Sequence, residues 1–418
     1  MGQMRKIVLL VLGGAILCFS GTKAVATSRP FVKVEGISLT VEGEPFLIKG
    51  VNLSNWLLPE AYMFDFSEER VASRYKMDLM LRQMIGPGAT DRFWKEYLSR
   101  YITEKDIAFL SSRGVNTVRV PFSYRLFTDE DYMGLRTADE GFAIIDNLLS
   151  WCRKYGIYVI LDMHSAPGGQ TGHNIDDSYG FPWLFYEKED EETFCSVWED
   201  IAEHYADEPQ ILGYELLNEP IADYFGSAAR NYMNSRLEGI YKKAVSVIRR
   251  HDPDHIVILG GAQWNLNFNV FSDFSFDPDM MYTCHKYDGT AGEANIGDFL
   301  SFRKRSSKPM FMGELGHNSI SWQRKMSETL ENNGIGYTFW PYKKIGDQCM
   351  VSIVSPKGWF RIKSFAASER STYEEINSAR PGREESLSAL EGFLENLSVD
   401  KCVVNEEYIS SMRLHSSN

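Results

Sequence analysis

Cysteine is scarce in this chain: six among 418 residues, with no two spaced C-x-x-C. That argues against a structural zinc site or a dithiol redox centre, and no H-x-H pair offers another ligand signature, so no metal and no cofactor are expected. Long basic runs are missing too, and the formal net charge is −13. Nucleic acid and anionic membranes are therefore poor partners, whereas a neutral substrate suits this balance. No Ser/Gly/Pro-rich linker divides the chain, and no repeat of 20–50 residues recurs.

Long apolar runs are also lacking. The longest N-terminal one, Ile7 to Phe19, has 13 residues, too few to span a hydrocarbon core of ~30 Å. Arg5 and Lys6 precede it and Ala24-Val25-Ala26 follows, the pattern of a secretory signal peptide (1–26) cleaved after Ala26. The expectation is a secreted or periplasmic protein with no membrane insertion. Leu17 before Cys18 is larger than a lipoprotein peptidase accepts, which argues against a lipid anchor. Five cysteines remain in the mature chain (27–418), read mostly as structural thiols with at most one or two disulfides.

What the chain does contain is a recurring β-branched or apolar run, a polar turn and an amphipathic stretch. Strand candidates are 46–53, 115–122, 156–164, 211–220, 255–264, 280–288, 309–316 and 335–343. Helical stretches at 104–114 and 139–156 each end in glycine, and those at 191–209 and 234–253 run into proline. Eight strands alternating with helices predict a single α/β domain, a (β/α)8 TIM barrel. An open doubly wound sheet would carry a glycine-rich phosphate turn after its first strand, and "GVNLSNW" is not one. Residues 31–45 read as an N-terminal β-hairpin closing the barrel's bottom, 54–103 as an insertion on the catalytic face, and 357–418 as final helices and a tail.

The strand ends carry the chemistry. The second offers Arg119, the third His164, the fourth Asn218 and Glu219, the sixth His285 and Tyr287, the seventh Glu314 and the eighth Trp340. In a barrel these ends converge on one pocket. Two carboxylates facing each other across it, with no metal motif, suit glycosidic bond cleavage: one holds a proton for the leaving oxygen, the other attacks the anomeric carbon. Arg119 is the natural partner for one carboxylate, and Trp340 offers a flat face to a sugar ring.

This ordered set, with "LNEP" and "GELG" 95 residues apart, resembles glycoside hydrolase family 5 over essentially the whole mature chain. The resemblance implies a retaining double displacement on a β-linked glucan (β-1,4 or β-1,3) oligo- or polysaccharide. Glu219 would be the acid/base and Glu314 the nucleophile, with Asn218 on the sugar 2-hydroxyl. Tyr287 and Arg119 would orient Glu314, His285 would sit beside Glu219, and His164 would line the same subsite. The negative charge of Glu314 would raise the pKa of Glu219.

Loops 50–62 and 164–180 resemble the exo-β-1,3-glucanase branch, which implies that Glu60 and Asp176 or Asp177 close the pocket's end. There "SN" replaces a double glycine, and "NIDDSYG" is longer than its counterpart. Exo and endo action stay open, as do β-mannanase or xyloglucanase activity and a glycan-binding barrel without activity. Trp56, Trp183, Trp264, Trp322 and Tyr342 are candidate sugar platforms, Trp264 foremost as a strand-end residue, and 181–185 is a candidate rim. A monomer is expected.

Overall fold

The computed structural model describes residues 30–414, so the signal peptide reading and the last four residues lie outside the described part. Eight parallel strands close into a barrel: β1 (Lys49–Asn52), β2 (Thr117–Ser123), β3 (Tyr158–Ser165), β4 (Ile211–Glu215), β5 (Ile256–Gly260), β6 (Met280–His285), β7 (Met310–Gly316) and β8 (Gly336–Trp340). Each pairs with the next in parallel, and β8 closes on β1 through Tyr337↔Lys49, Thr338↔Gly50 and Phe339↔Val51. The (β/α)8 expectation holds.

Alternation along each strand explains the layering. On β2, Val118, Val120 and Phe122 face outward into an apolar shell with helix residues such as Ile145, Leu148 and Trp198, while Arg119 between them turns inward. The helices stop where the sequence says they must. Ala138–Tyr155 ends at Gly156 in the left-handed region (φ 72°), and Glu104–Ser112 begins with a Thr103/Asp106 capping box. Among the described residues no helix is long and apolar enough to cross a membrane.

Several boundaries differ from the sequence reading, the sixth strand ending at His285 rather than 288 and the eighth at Trp340 rather than 343 among them. The N-terminal segment is a three-stranded antiparallel sheet, Val32–Glu35, Ser38–Val41 and Glu44–Phe46, because both glycine turns, at Gly36 and Gly43, are used. Its Val32 and Leu39 pack with Ile48, Ile160, Leu212, Ile258 and Phe311 in a small separate cluster under the barrel. The fourth strand stops at Glu215 rather than running to 220. Leu216 and Asn218 still donate their N–H groups to Ile258 and Met163 carbonyls, so "LLN" is buried and hydrogen-bonded without being regular strand. Likewise β5 ends at Gly260, and residues 261–264 belong to the turn that follows.

Candidate active site

Arg119 is fully buried, and every donor on its guanidinium plane has a partner. Nε and Nη2 hold Glu215 in a fork of two 2.7 Å bonds, Nη1 donates to Glu314 Oε1 (2.7 Å) and Asn52 Oδ1 (2.9 Å), and Nη2 also reaches Asn218 Oδ1 (2.8 Å) and Asp162 Oδ2 (3.0 Å). One cation thus ties together β1, β2, β3, β4 and β7. Such a cluster is costly to bury and costlier to break, since removing one partner strands the others in low dielectric. Asn52, at the end of β1, donates in turn to the Gly313, Thr338 and Phe339 carbonyls and so pins β1 to β7 and β8.

Above this layer stand the two glutamates. Glu314 accepts from Arg119 on Oε1 and from the Tyr287 hydroxyl on Oε2 (2.6 Å). Glu219, four residues past the end of β4, has φ 43°, a left-handed conformation that carries its side chain back over the barrel mouth. Its Oε1 lies 2.7 Å from His285 Nδ1, which is 3.6 Å from Glu314 Oε2. Carboxylate oxygens of the two glutamates lie within 4.8 Å of each other.

Burial raises the Glu219 pKa, with His164 and Arg119 pulling the other way, so burial rather than the expected Glu314 charge is the leading cause. Burial also pushes the His164 and His285 rings down to about 4, leaving both neutral at ordinary pH. His164 Nδ1 pairs with Asp162 Oδ2 at 2.7 Å and its Nε2 with Asn218 Nδ2 at 3.2 Å. That fixes a chain from Asp162 through His164 and Asn218 to Arg119, with the neutral ring donating at one nitrogen and accepting at the other.

The glutamates open into a cavity of about 490 Å³ lined also by Glu60, Tyr62, His164, Ile175, Tyr287, His317 and Trp340. The Trp340 ring stacks on His164 (5.4 Å, 8°), and its indole N–H donates to the Tyr62 hydroxyl at 2.7 Å. Glu60 is 5% exposed in this wall, and burial followed by the charges of Glu314 and Glu68 lifts its pKa well above the carboxylate range. Glu219, His285 and Glu314 are the one trio of ligating groups among the described residues close enough for an ion. Both Glu314 oxygens, however, already accept from Arg119 and Tyr287, and an arginine at that distance opposes a second cation.

The structure therefore gathers Arg119, His164, Asn218, Glu219, His285, Tyr287, Glu314, Trp340 and Glu60 at one mouth. Asp176 and Asp177 are placed otherwise. Asp176 accepts the backbone N–H groups of Gln170, Thr171, Gly172 and Ser178 and the Thr171 hydroxyl, so it staples its own loop. Asp177 pairs with Arg74 (3.0 Å) and accepts the Tyr75 N–H (2.7 Å), which ties that loop to the 54–103 insertion. Neither carboxylate lines the cavity; Ile175 does.

Trp264 is four residues beyond β5, half-buried, donating to Asp223 Oδ1 (2.9 Å) beside the His173 ring, and does not line the cavity. Trp56, Trp322 and Tyr342 are buried core rather than platforms. Trp183 is 39% exposed and packs on Phe181, also outside the cavity lining.

Sequence reading missed Asn52, Tyr62, Asp162, Glu215, Asn265 and His317. A charge inside an apolar run was the available signal for Asp162 and Glu215; for the others the sequence held none.

The sequence matches the family Cellulase (glycosyl hydrolase family 5) over residues 81–345. It is 32% identical over 246 residues to a β-xylosidase of Phanerodontia chrysosporium, covering 58% of this chain and 48% of that one. It thus spans about half the length of that relative. Against endoglucanase C of Acetivibrio thermocellus it is 29% identical, covering 60% of this chain and 87% of the relative. A crystal structure of rutinosidase from Aspergillus niger superposes with a TM-score of 0.57 at 18% identity, over 72% of this chain and 91% of that one, a likeness of fold. With the barrel, the paired glutamates and the matched span in hand, the chain belongs to glycosyl hydrolase family 5.

Proposed function

We propose that this protein is a secreted retaining β-glycosidase that hydrolyses β-linked glucan by double displacement. The observation that carries the reading is the geometry of the pair: two carboxylates with oxygens within 4.8 Å of each other, one held by Arg119 and Tyr287. Retaining glycosidases keep their carboxyl groups roughly 5–5.5 Å apart, whereas inverting ones leave about 6.5–9.5 Å for a water.

In the first step a Glu314 oxygen attacks the anomeric carbon. The bond to the leaving oxygen breaks, its electron pair stays on that oxygen, and Glu219 supplies the proton. Asn218, held between Arg119 and His164, keeps an amide hydrogen for the sugar 2-hydroxyl, and Trp340 backs the ring. Once Glu314 is esterified its charge is gone, and Glu219 takes a proton from water, which attacks the same carbon and releases Glu314.

A substrate panel of laminarin, barley β-glucan, carboxymethyl-cellulose, xyloglucan, mannan and an aryl β-glucoside tests the reading. Release of reducing sugar from a β-glucan, with retained configuration at the new anomeric centre, is expected. Inversion would sink the mechanism, and turnover of mannan alone would sink the substrate class.

A second reading, exo action, is favoured by Glu60. It is a buried carboxyl in the pocket wall whose neighbours are other acids rather than a cation, a group suited to the hydroxyls of a terminal sugar. Glucose as the only laminarin product supports it, and a ladder of oligomers rules it out.

A further inference from the structure

The turn after β5 carries a feature that glycoside cleavage as described does not use. Gln263, Trp264 and Asn265 are three consecutive non-glycine residues in the left-handed region, with φ of 51°, 63° and 59°. A run of three side-chain-bearing residues in this conformation is unfavourable and persists only where the surroundings impose it. The turn is closed by mutual backbone bonds between Ala262 and Asn267. Its product is the position of one side chain: Asn265, fully buried, with Nδ2 at 3.1 Å from His285 Nε2. Room for that amide comes from Gly260 at the end of β5, where a Cβ would sit 2.2 Å from Asn265 Oδ1.

The amide orientation has a chemical consequence. Oδ1 faces the Cα of Gly260 and has no hydrogen-bond donor, while the N–H points at the imidazole. His285 is neutral, its pKa pushed by burial to about 4, so it carries one ring proton. With Nε2 accepting from Asn265, that proton is on Nδ1, where it donates to Glu219 Oε1 at 2.7 Å.

We infer that Asn265 is a positioning residue for acid catalysis: it selects the Nδ1–H tautomer of His285, which caps Glu219 Oε1 and leaves Oε2 as the oxygen that carries the proton to the leaving group. The inference rests on the acid/base reading of Glu219. The tautomer also serves the return step, because the same N–H stabilises the carboxylate left behind when Oε2 has given its proton away.

The Asn265→Asp variant reverses this arrangement. A carboxylate at 265 can only accept, so it draws the ring proton to Nε2 and turns the Nδ1 lone pair towards Glu219. The acid must then hold its proton on Oε1, against the ring. The readout is leaving-group dependence, because 2,4-dinitrophenolate departs without a proton and phenolate does not.

For Asn265→Asp, kcat/KM on phenyl β-glucoside is expected to fall roughly 10- to 100-fold more than on 2,4-dinitrophenyl β-glucoside, a share of the 10²–10⁴ that general acids supply. Equal losses on both substrates would overturn the inference, since a merely structural role slows both alike. If the aspartate variant does not fold, as judged by its thermal melt, the same comparison on Asn265→Ala decides, with the same sign and a smaller split. Wild-type protein that cleaves neither glucoside overturns the proposed glucan specificity alone, and the same leaving-group comparison is then read on aryl glycosides of the sugar that the substrate panel identifies; wild-type protein inactive on every one of them overturns the acid/base reading and the inference with it.

Discussion

Glu215 grips Arg119 in a two-pronged bond, Nε to Oε2 and Nη2 to Oε1, each 2.7 Å long and both side chains wholly inaccessible. This pair is what allows Arg119 to face Glu314. Without Glu215 and Asp162 the guanidinium would be a buried cation balanced by the nucleophile alone, and its position would shift whenever the nucleophile's charge is consumed. Lysine keeps the charge but has no fork, so Arg119→Lys leaves at least one of Glu215, Asn218 and Asn52 unpaired. A stability loss of about 2 kcal/mol or more is expected, with activity reduced at every pH. Denaturant titration beside kinetics checks it, and a variant as stable as wild type would remove the cluster's structural role.

Glu314→Gln keeps the shape of the nucleophile and its bond from Arg119 but cannot form the ester. Turnover of β-glucan is expected to drop by a factor on the order of 10⁴ or more, with oligosaccharide binding retained. Calorimetric titration against the same oligosaccharide separates the two effects. Near-wild-type turnover would show that Glu314 is not the nucleophile.

Most of what positions the reaction was legible because it obeys a period. Parallel strands buried on both faces carry few polar groups, so Arg119, which sits within its strand rather than at the end, and His164, His285 and Glu314 nearer the exits declared themselves by interrupting apolar runs. The same signal was present at Asp162 and Glu215, whose carboxylates serve Arg119 rather than substrate. What stayed hidden depends on backbone outside the strands. Asp176 looks like a free acid in the sequence, and only the turn around it reveals the N–H groups that consume its charge. Asn265 reaches His285 through three left-handed residues that no propensity favours. The third N-terminal strand stayed hidden because a hairpin needs one glycine turn, whereas this segment uses two, at Gly36 and Gly43.

The loop role assigned to Asp176 has its own consequence. Asp176→Ala removes the acceptor for four backbone N–H groups and leaves several of them buried and unpaired, at about 1–3 kcal/mol. The loss is expected to be local: faster hydrogen exchange and proteolysis within residues 166–187, with KM changing only as far as Ile175 moves in the pocket wall. A variant that raises KM sharply while leaving exchange in that loop unchanged would restore Asp176 to the binding site.

His317 provides a test in which the sign can be worked through. It follows Gly316 at the end of β7, half-buried in the cavity wall, and its Nε2 lies 3.4 Å from the Tyr62 hydroxyl. Burial, then the Lys344 charge, push its pKa down to about 4, with Asp347 opposing. An unfolded histidine titrates near 6.5, about the usual value. Between those two values the unfolded chain takes up a proton that the folded chain refuses, so acidification favours unfolding. The contribution of this residue is whole above about 6.5 and is lost as pH falls towards about 4. Glutamine cannot be protonated but still offers the Tyr62 hydroxyl an amide partner. Relative to wild type, His317→Gln is expected to gain about 1–3 kcal/mol between pH 7 and pH 4. Buried acids whose pKa values rise, Asp162 (to about 7) and Glu219 among them, titrate in both proteins and cancel in the comparison. Urea midpoints measured in parallel at pH 7, 6, 5 and 4 give the difference directly, and a gap that does not widen on the acid side would mean that the ring takes its proton as readily in the fold as outside it.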